Sequence, residues 1–306
     1  MKTSVLETLA QPDAAGAAPQ SRNRIAADYA ELVKARLTLL VLLTTAVGYY
    51  LGARSPVSSL GLFHVVFGTA AAAAGAAALN QWWERKVDAL MQRTKTRPVP
   101  GGRMRPAEAL VVGGLLSLVG VAYLAITCNA LSAFLSALTI LIYIFAYTPL
   151  KRISTFNTLV GAVPGALPPV IGWAAARNQL DSGAWSLFAI LVLWQLPHFF
   201  AIAWMYREDY SRAGFQMISN DDPTAARSAS QSVFFSMLLL VAAGMPAFLG
   251  ITSQIYVLIE LALGAWYVAS SMRFLRIHTA SAARSLFFTS IVYLPLLLLA
   301  MVLTKL

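Results

Sequence analysis

This sequence predicts an all-α membrane protein, with nine spanning helices in one bundle. Three observations carry the prediction. First, 58% of the 306 residues are hydrophobic and only 12% are charged, whereas a soluble domain carries roughly 25% charged residues. Second, uncharged stretches recur along the chain, and each crossing of a bilayer needs about 20 apolar residues. Third, Lys and Arg collect on alternate connections, as the positive-inside rule requires. The composition excludes disorder for the bulk of the chain. The net charge of +10 is explained by topology, so the implied partner is the lipid bilayer and not nucleic acid.

Residues 1–28 read as a disordered cytoplasmic tail and residues 29–306 as the membrane domain. The tail lacks an apolar core for secretion, and Glu7 and Asp13 argue against a transit peptide. The first two spans run from Leu37 to Ala53 and from Val57 to Trp83. Ala109 to Leu150 is uncharged and holds two helices, with a turn near Asn129. The fifth span, Ile153 to Ala176, contains Pro164, Pro168 and Pro169, which imply kinks and space between helices. Ser182 to Tyr206 is the sixth. Ser228 to Met272 holds the seventh and eighth, turning near Thr252–Gln254, and Ser285 to Thr304 is the ninth. With the N-terminus inside, twenty Lys and Arg residues lie on the tail and inner loops. Only Arg54, Arg177 and Lys305 lie outside. The expected location is a bacterial inner membrane, with the polar loops cytoplasmic.

Chemistry concentrates where the second span ends. Asn80, Glu84 and Asp88 are spaced i, i+4, i+8, which puts three oxygen-bearing side chains on one helical stripe. Such a stripe suits Mg²⁺, which pairs one or two carboxylates with substrate phosphates. The plainer reading is a helix that has reached water. Arg93 and Arg97 follow within one loop, and guanidinium groups bind phosphate bidentately. Tyr147, Lys151 and Arg152 form a third cluster, readable as a diphosphate contact or as ordinary interfacial residues. The sixth span delivers His198, then Glu208 and Asp209. An intramembrane His is either packed structurally or functional, as an iron ligand or proton carrier. The recurrence of polar clusters after the second and sixth spans suggests two four-helix-like halves. Nearly chargeless spans argue against a transporter.

At these residues the chain resembles the UbiA-type intramembrane prenyltransferases. Asn80-x-x-x-Glu84-x-x-x-Asp88 and Arg93-Thr94-x-x-Arg97-Pro98 are similar to that family's first diphosphate motif. Within the family, the resemblance is strongest to the branch that farnesylates haem. It rests on Tyr147-Thr148-Pro149-Leu150-Lys151-Arg152, on Gly161-Ala162-x-Pro164-Gly165-Ala166-x-Pro168-Pro169, and on Trp194-Gln195-x-Pro197-His198-Phe199. The second acidic motif is thinner than in many relatives.

The resemblance implies nine helices with an inner N-terminus, and transfer of farnesyl from farnesyl diphosphate to a vinyl group of haem B, with water added, giving haem O. It implies that Asn80, Glu84 and Asp88 hold Mg²⁺, with Glu208 and Asp209 as a second metal site. Arg93, Arg97, Lys151, Arg152 and Tyr147 would contact diphosphate, and His198 would meet the haem. Haem A synthase or oxidase-assembly proteins are the implied recipients. The rival within the family is a quinone-pathway enzyme that prenylates an aromatic acid.

Overall fold

The computed structural model describes residues 22–306. Among them, nine helices are long and apolar enough to cross a membrane. The chain opens with α1 (Arg22–Leu32). The spans are α2 (Ala35–Gly52), α3 (Ser59–Asp88), α4 (Pro106–Thr127), α5 (Ala130–Leu150), α6 (Asn157–Arg177) and α7 (Ser182–Met205). A short α8 (Arg207–Arg212) then leads to α9 (Ala226–Phe248), α10 (Gln254–Ile277) and α11 (Ala280–Leu303). The chain is a multi-pass membrane protein. Its exposed large residues are apolar along the spans, among them Leu118, Phe134, Val241 and Leu258, because lipid replaces water as the outer solvent.

Boundaries follow capping chemistry. The turn expected near Asn129 is there: its side chain accepts from the Ser132 N–H at 2.8 Å and donates to Ala174 O at 2.8 Å. The helix that follows is therefore capped and tied to α6. Asp181 caps α7 by accepting from the Gly183 and Ala184 N–H groups. Pro164, Pro168 and Pro169 lie inside one helix that runs from Asn157 to Arg177.

Residues 22–28 depart from the expected disordered tail, because α1 begins at Arg22. The cause is long-range. Leu32 is fully buried with Ala78, Val99, Met104 and Ala109. Arg103 pairs with Asp28 at 2.7 Å and with Glu31 at 2.6 Å. The rest of the expected tail, residues 1–21, lies outside the described residues.

α2 and α6 approach so closely that neither tolerates a side chain at the crossing. A Cβ on Gly48 would sit 2.0 Å from Pro169 O, and one on Gly172 would sit 2.0 Å from Thr45 O. Gly48→Ala should therefore lower stability by about 1–3 kcal/mol, the usual penalty of overpacking. A Cβ on Gly114 meets nothing within 4 Å, so Gly114→Ala should leave thermal unfolding in detergent unchanged.

Candidate active site

α3 has 30 residues, about 45 Å at 1.5 Å per residue, against a hydrocarbon core of about 30 Å. Its last turns therefore project past the apolar layer, carrying Asn80, Glu84 and Asp88. All three are buried, at 1%, 6% and 3% exposure. Buried carboxylates need partners, and each has one. Lys151 Nζ lies 2.8 and 3.0 Å from the two Glu84 oxygens. Arg97 meets Asp88 Oδ2 at 2.7 Å. Asn80 donates to Glu84 Oε2 at 2.9 Å and accepts from Lys34 Nζ at 2.8 Å.

These residues form one end of a cavity of about 450 Å³. Lys34, Lys151, Arg93 and Arg97 line it together with Glu84 and Asp88, so cations outnumber acids four to two. Burial, then Arg97 and Lys151, lower the Lys34 ammonium to about 7. Burial also works against the Lys151 ammonium, but Glu84 outweighs it and holds Lys151 above its ordinary value. The site therefore carries surplus positive charge and attracts an anion. From there the cavity continues between helices, past Leu37, Val41, Ala73, Ala76 and Ala77, and past Pro164, Pro168 and Phe199. It joins a charged mouth to an apolar interior.

Aromatic residues surround the charged part. Residues Ile142–Tyr147 form a π-helical stretch within α5, where Pro149 follows without an N–H to donate. This places both Tyr143 and Tyr147 on the cavity, with their rings stacked at 5.7 Å. Lys151 lies 4.5 Å above the Tyr147 ring. Arg93 sits over Tyr206 and Tyr210 at 5.3 and 5.8 Å. Tyr147 fits because residue 161 is glycine: a Cβ there would lie 2.5 Å from its ring.

The cavity thus gathers Asn80, Glu84, Asp88, Arg93, Arg97, Tyr147 and Lys151 from the sequence-derived set. It leaves four residues outside. Arg152 is exposed, because one helical step of about 100° separates it from Lys151. Glu208 points to solvent with an 82% exposed side chain, 3.8 Å from Arg207. Asp209 pairs with Arg212 at 2.8 Å and accepts from the Arg93 backbone N–H at 3.3 Å. It braces the loop that carries Arg93.

His198 lies on another face of α7, stacked between Trp194 and Phe287 at 5.4 and 5.0 Å. Its Nδ1 is 2.6 Å from Ser290 Oγ. Ser290 gives its own proton to Phe287 O, so it accepts from His198 Nδ1–H and leaves the Nε2 lone pair free. Neighbouring Gln195 and Phe199 do line the cavity.

Sequence reasoning missed Lys34 and Tyr143, and it did not single out Asn157, Thr158 or Gln195 as cavity residues. Asn157 and Gln195 carried a signal, since polar residues within spans are disfavoured unless used. Lys34 was hidden among the charges of the first inner segment.

The match to known proteins is extensive. The model of the UbiA prenyltransferase family fits residues 41–292. The chain belongs to that family. It is 44% identical over 279 residues to a protoheme IX farnesyltransferase of Solibacter usitatus, spanning 88% of this chain and 96% of that protein. Its fold is that of a solved digeranylgeranylglyceryl phosphate synthase, with a TM-score of 0.76 at 15% identity over 91% of this chain and 98% of the other. A UbiA homolog from Archaeoglobus fulgidus bound to GPP and Mg²⁺ superposes with a TM-score of 0.67 at 15% identity, covering 90% of this chain and 99% of that one.

Removing the Lys151 ammonium leaves the Glu84 carboxylate buried with no cation paired to it and only the Asn80 amide as donor. Lys151→Met should lower unfolding stability by about 3–5 kcal/mol. Adding Glu84→Gln to that variant should restore most of the stability without restoring turnover. Chemical denaturation in micelles, with an activity assay on the same samples, reads both.

Proposed function

We propose that this UbiA-family prenyltransferase transfers a farnesyl group from farnesyl diphosphate to a vinyl group of haem B, adds water and yields haem O. The observation that carries the reading is the single cavity joining a charged mouth to an apolar interior. That is the shape of an isoprenoid diphosphate, whose head is anionic and whose tail is hydrocarbon. The 44% identical protoheme IX farnesyltransferase supports the choice of acceptor.

The donor set at the mouth fits a divalent cation. Asn80, Glu84 and Asp88 offer hard oxygens along one stripe of α3. Among the described residues, no three His, Cys, Asp or Glu side chains converge as a complete cage. Two carboxylates and one amide oxygen suit Mg²⁺ shared between one or two carboxylates and substrate phosphates. Bound there, Mg²⁺ supplies Lewis-acid neutralisation of the diphosphate.

The chain's own residues do the rest. Arg93, Arg97, Lys34 and Lys151 stabilise the charge that grows on diphosphate as its bond to the allylic carbon breaks. The Tyr143 and Tyr147 rings line the cavity beside Lys151, where they would favour cationic character at the allylic carbon. Apolar residues around Val41 and Ala76 exclude water from the chain. The vinyl group then attacks the allylic carbon, and water adds to the resulting haem side-chain cation with loss of a proton. His198, on another face of the same helix as Gln195, presents a free Nε2 that would suit binding to the haem iron. In this reading the chain acts in a bacterial inner membrane, and the distribution of Lys and Arg supports a cytoplasmic Glu84 mouth. Haem A synthase or an oxidase-assembly protein then receives the product.

Incubating membranes that contain the protein with haem B, farnesyl diphosphate and Mg²⁺ should produce a later-eluting haem whose mass has gained farnesyl plus water. Glu84→Ala and Asp88→Ala should each reduce its formation at least about 100-fold. Prenylation of an aromatic acid, with haem unchanged, would assign the enzyme to quinone synthesis instead. His198→Ala should lower haem turnover while leaving farnesyl diphosphate affinity unchanged. Equal losses in both would place His198 in the diphosphate site and contradict its assignment to haem.

A further inference from the structure

The opposite end of the bundle carries a second pocket, of about 370 Å³. α2 runs from beside Lys34 to Gly52, and α6 runs from Asn157 to Arg177. This pocket therefore lies a full helix length from the carboxylates, about 30 Å. Among the described residues, only three Lys or Arg residues fall on this side of the spans, Arg54, Arg177 and Lys305. All three line this one pocket, where Asp181 is the single acidic side chain. A membrane protein that places nearly all its cations at one end has gathered the remaining three at one spot.

Two of the three are fixed in place. Arg177 Nε donates to Gly52 O at 2.8 Å, and its guanidinium stacks 4.9 Å above Trp173. Lys305 Nζ donates to Tyr50 O and Ala53 O at 2.6 and 2.7 Å. Arg54 is exposed and its side chain has no hydrogen-bond or ionic partner among the described residues. Trp173 also lines the pocket, is 2% exposed, and its indole N–H has no acceptor. Burial, then Arg177, push the Lys305 ammonium below its ordinary range. Asp181 offsets part of the Arg177 charge at 3.3 Å, so Arg54 and the Trp173 indole N–H are the donors left without acceptors. The wall includes Leu249, and adjacent Phe248 is 87% exposed, so an apolar surface continues from the rim.

We propose that this pocket binds the phosphate of an anionic phospholipid headgroup, with the acyl chains lying along Leu249 and Phe248. Arg177 and Lys305 present fixed positive charge, and Arg54 closes on the phosphate from the open side. A basic pocket at a helix end beside exposed hydrocarbon has the chemistry of a lipid headgroup site. This proposal stands apart from the prenyl-transfer reading, since none of its residues lines the Glu84 cavity.

The test uses the full-length protein, delipidated in neutral detergent and supplied with phosphatidylglycerol, phosphatidylcholine or inorganic phosphate. Native mass spectrometry reads the bound fraction, and thermal unfolding reads protection. Phosphatidylglycerol should bind and protect better than phosphatidylcholine. Arg54→Gln should weaken its binding about fivefold, and Arg54→Lys should retain most of it. Prenyl-transfer activity should not change in either variant, which shows that they fold. If inorganic phosphate protects as well as the lipid does, and Arg54→Gln removes that protection, the occupant is free phosphate and the lipid assignment is overturned. Equal phosphatidylglycerol binding by wild type and Arg54→Gln overturns the site itself.

Discussion

Glu84 and Asp88 sit buried at the end of a membrane helix, and the cations that neutralise them dictate how the surrounding segments are arranged. Lys151 reaches Glu84 from the connection after α5, and Arg97 reaches Asp88 from the loop after α3. Lys34 reaches Asn80 from the junction of α1 and α2. Each segment must end where its cation meets the stripe, so the ends of α2, α3 and α5 are fixed together. On the proposed reading, the same pairing prepares the site for substrate. An anionic diphosphate entering a cluster with surplus positive charge would take over partners that the carboxylates now hold, and a divalent cation would replace those partners on the acids.

The lipid environment explains why polar and apolar chemistry meet in one cavity. Backbone groups must be satisfied internally within the hydrocarbon layer, so the spans are helical and the space between them is lined by side chains. Glycine and proline set that space. Gly48 and Gly172 draw α2 and α6 together, while Pro164 and Pro168 face the cavity. Gly165 leaves room for the Gln195 amide, whose oxygen would lie 1.9 Å from a Cβ at that position. A small residue on one helix thus seats a polar residue on another, and the interior remains open to a hydrocarbon chain.

Much of this was legible in the sequence, because the bilayer imposes a coarse and regular constraint. All nine spans among the described residues were found from uncharged runs, with ends close to those observed. Asn80, Glu84 and Asp88 were legible because i, i+4, i+8 spacing places residues on one face of any helix. The start of α1 was not, because that helix depends on Arg103, more than seventy residues away. Lys34 and Tyr143 were missed for the same reason: what makes them part of the site is topology and a π-helical turn, neither of which composition reveals. Lys151 and Arg152 were read alike, and only the helical phase at the end of α5 separates them. Glu208 and Asp209 were grouped by sequence proximity, yet one meets solvent and the other braces the loop of Arg93.

The central claim is that the α3 stripe and its cations form a diphosphate site that works with a divalent cation. Equilibrium binding of farnesyl diphosphate to the purified protein tests it most directly, measured with Mg²⁺ and with chelator, in wild type and in Glu84→Gln. The account predicts tight binding by wild type only when Mg²⁺ is present, and weak binding by Glu84→Gln that Mg²⁺ does not improve. Equal affinity in all four conditions would contradict it.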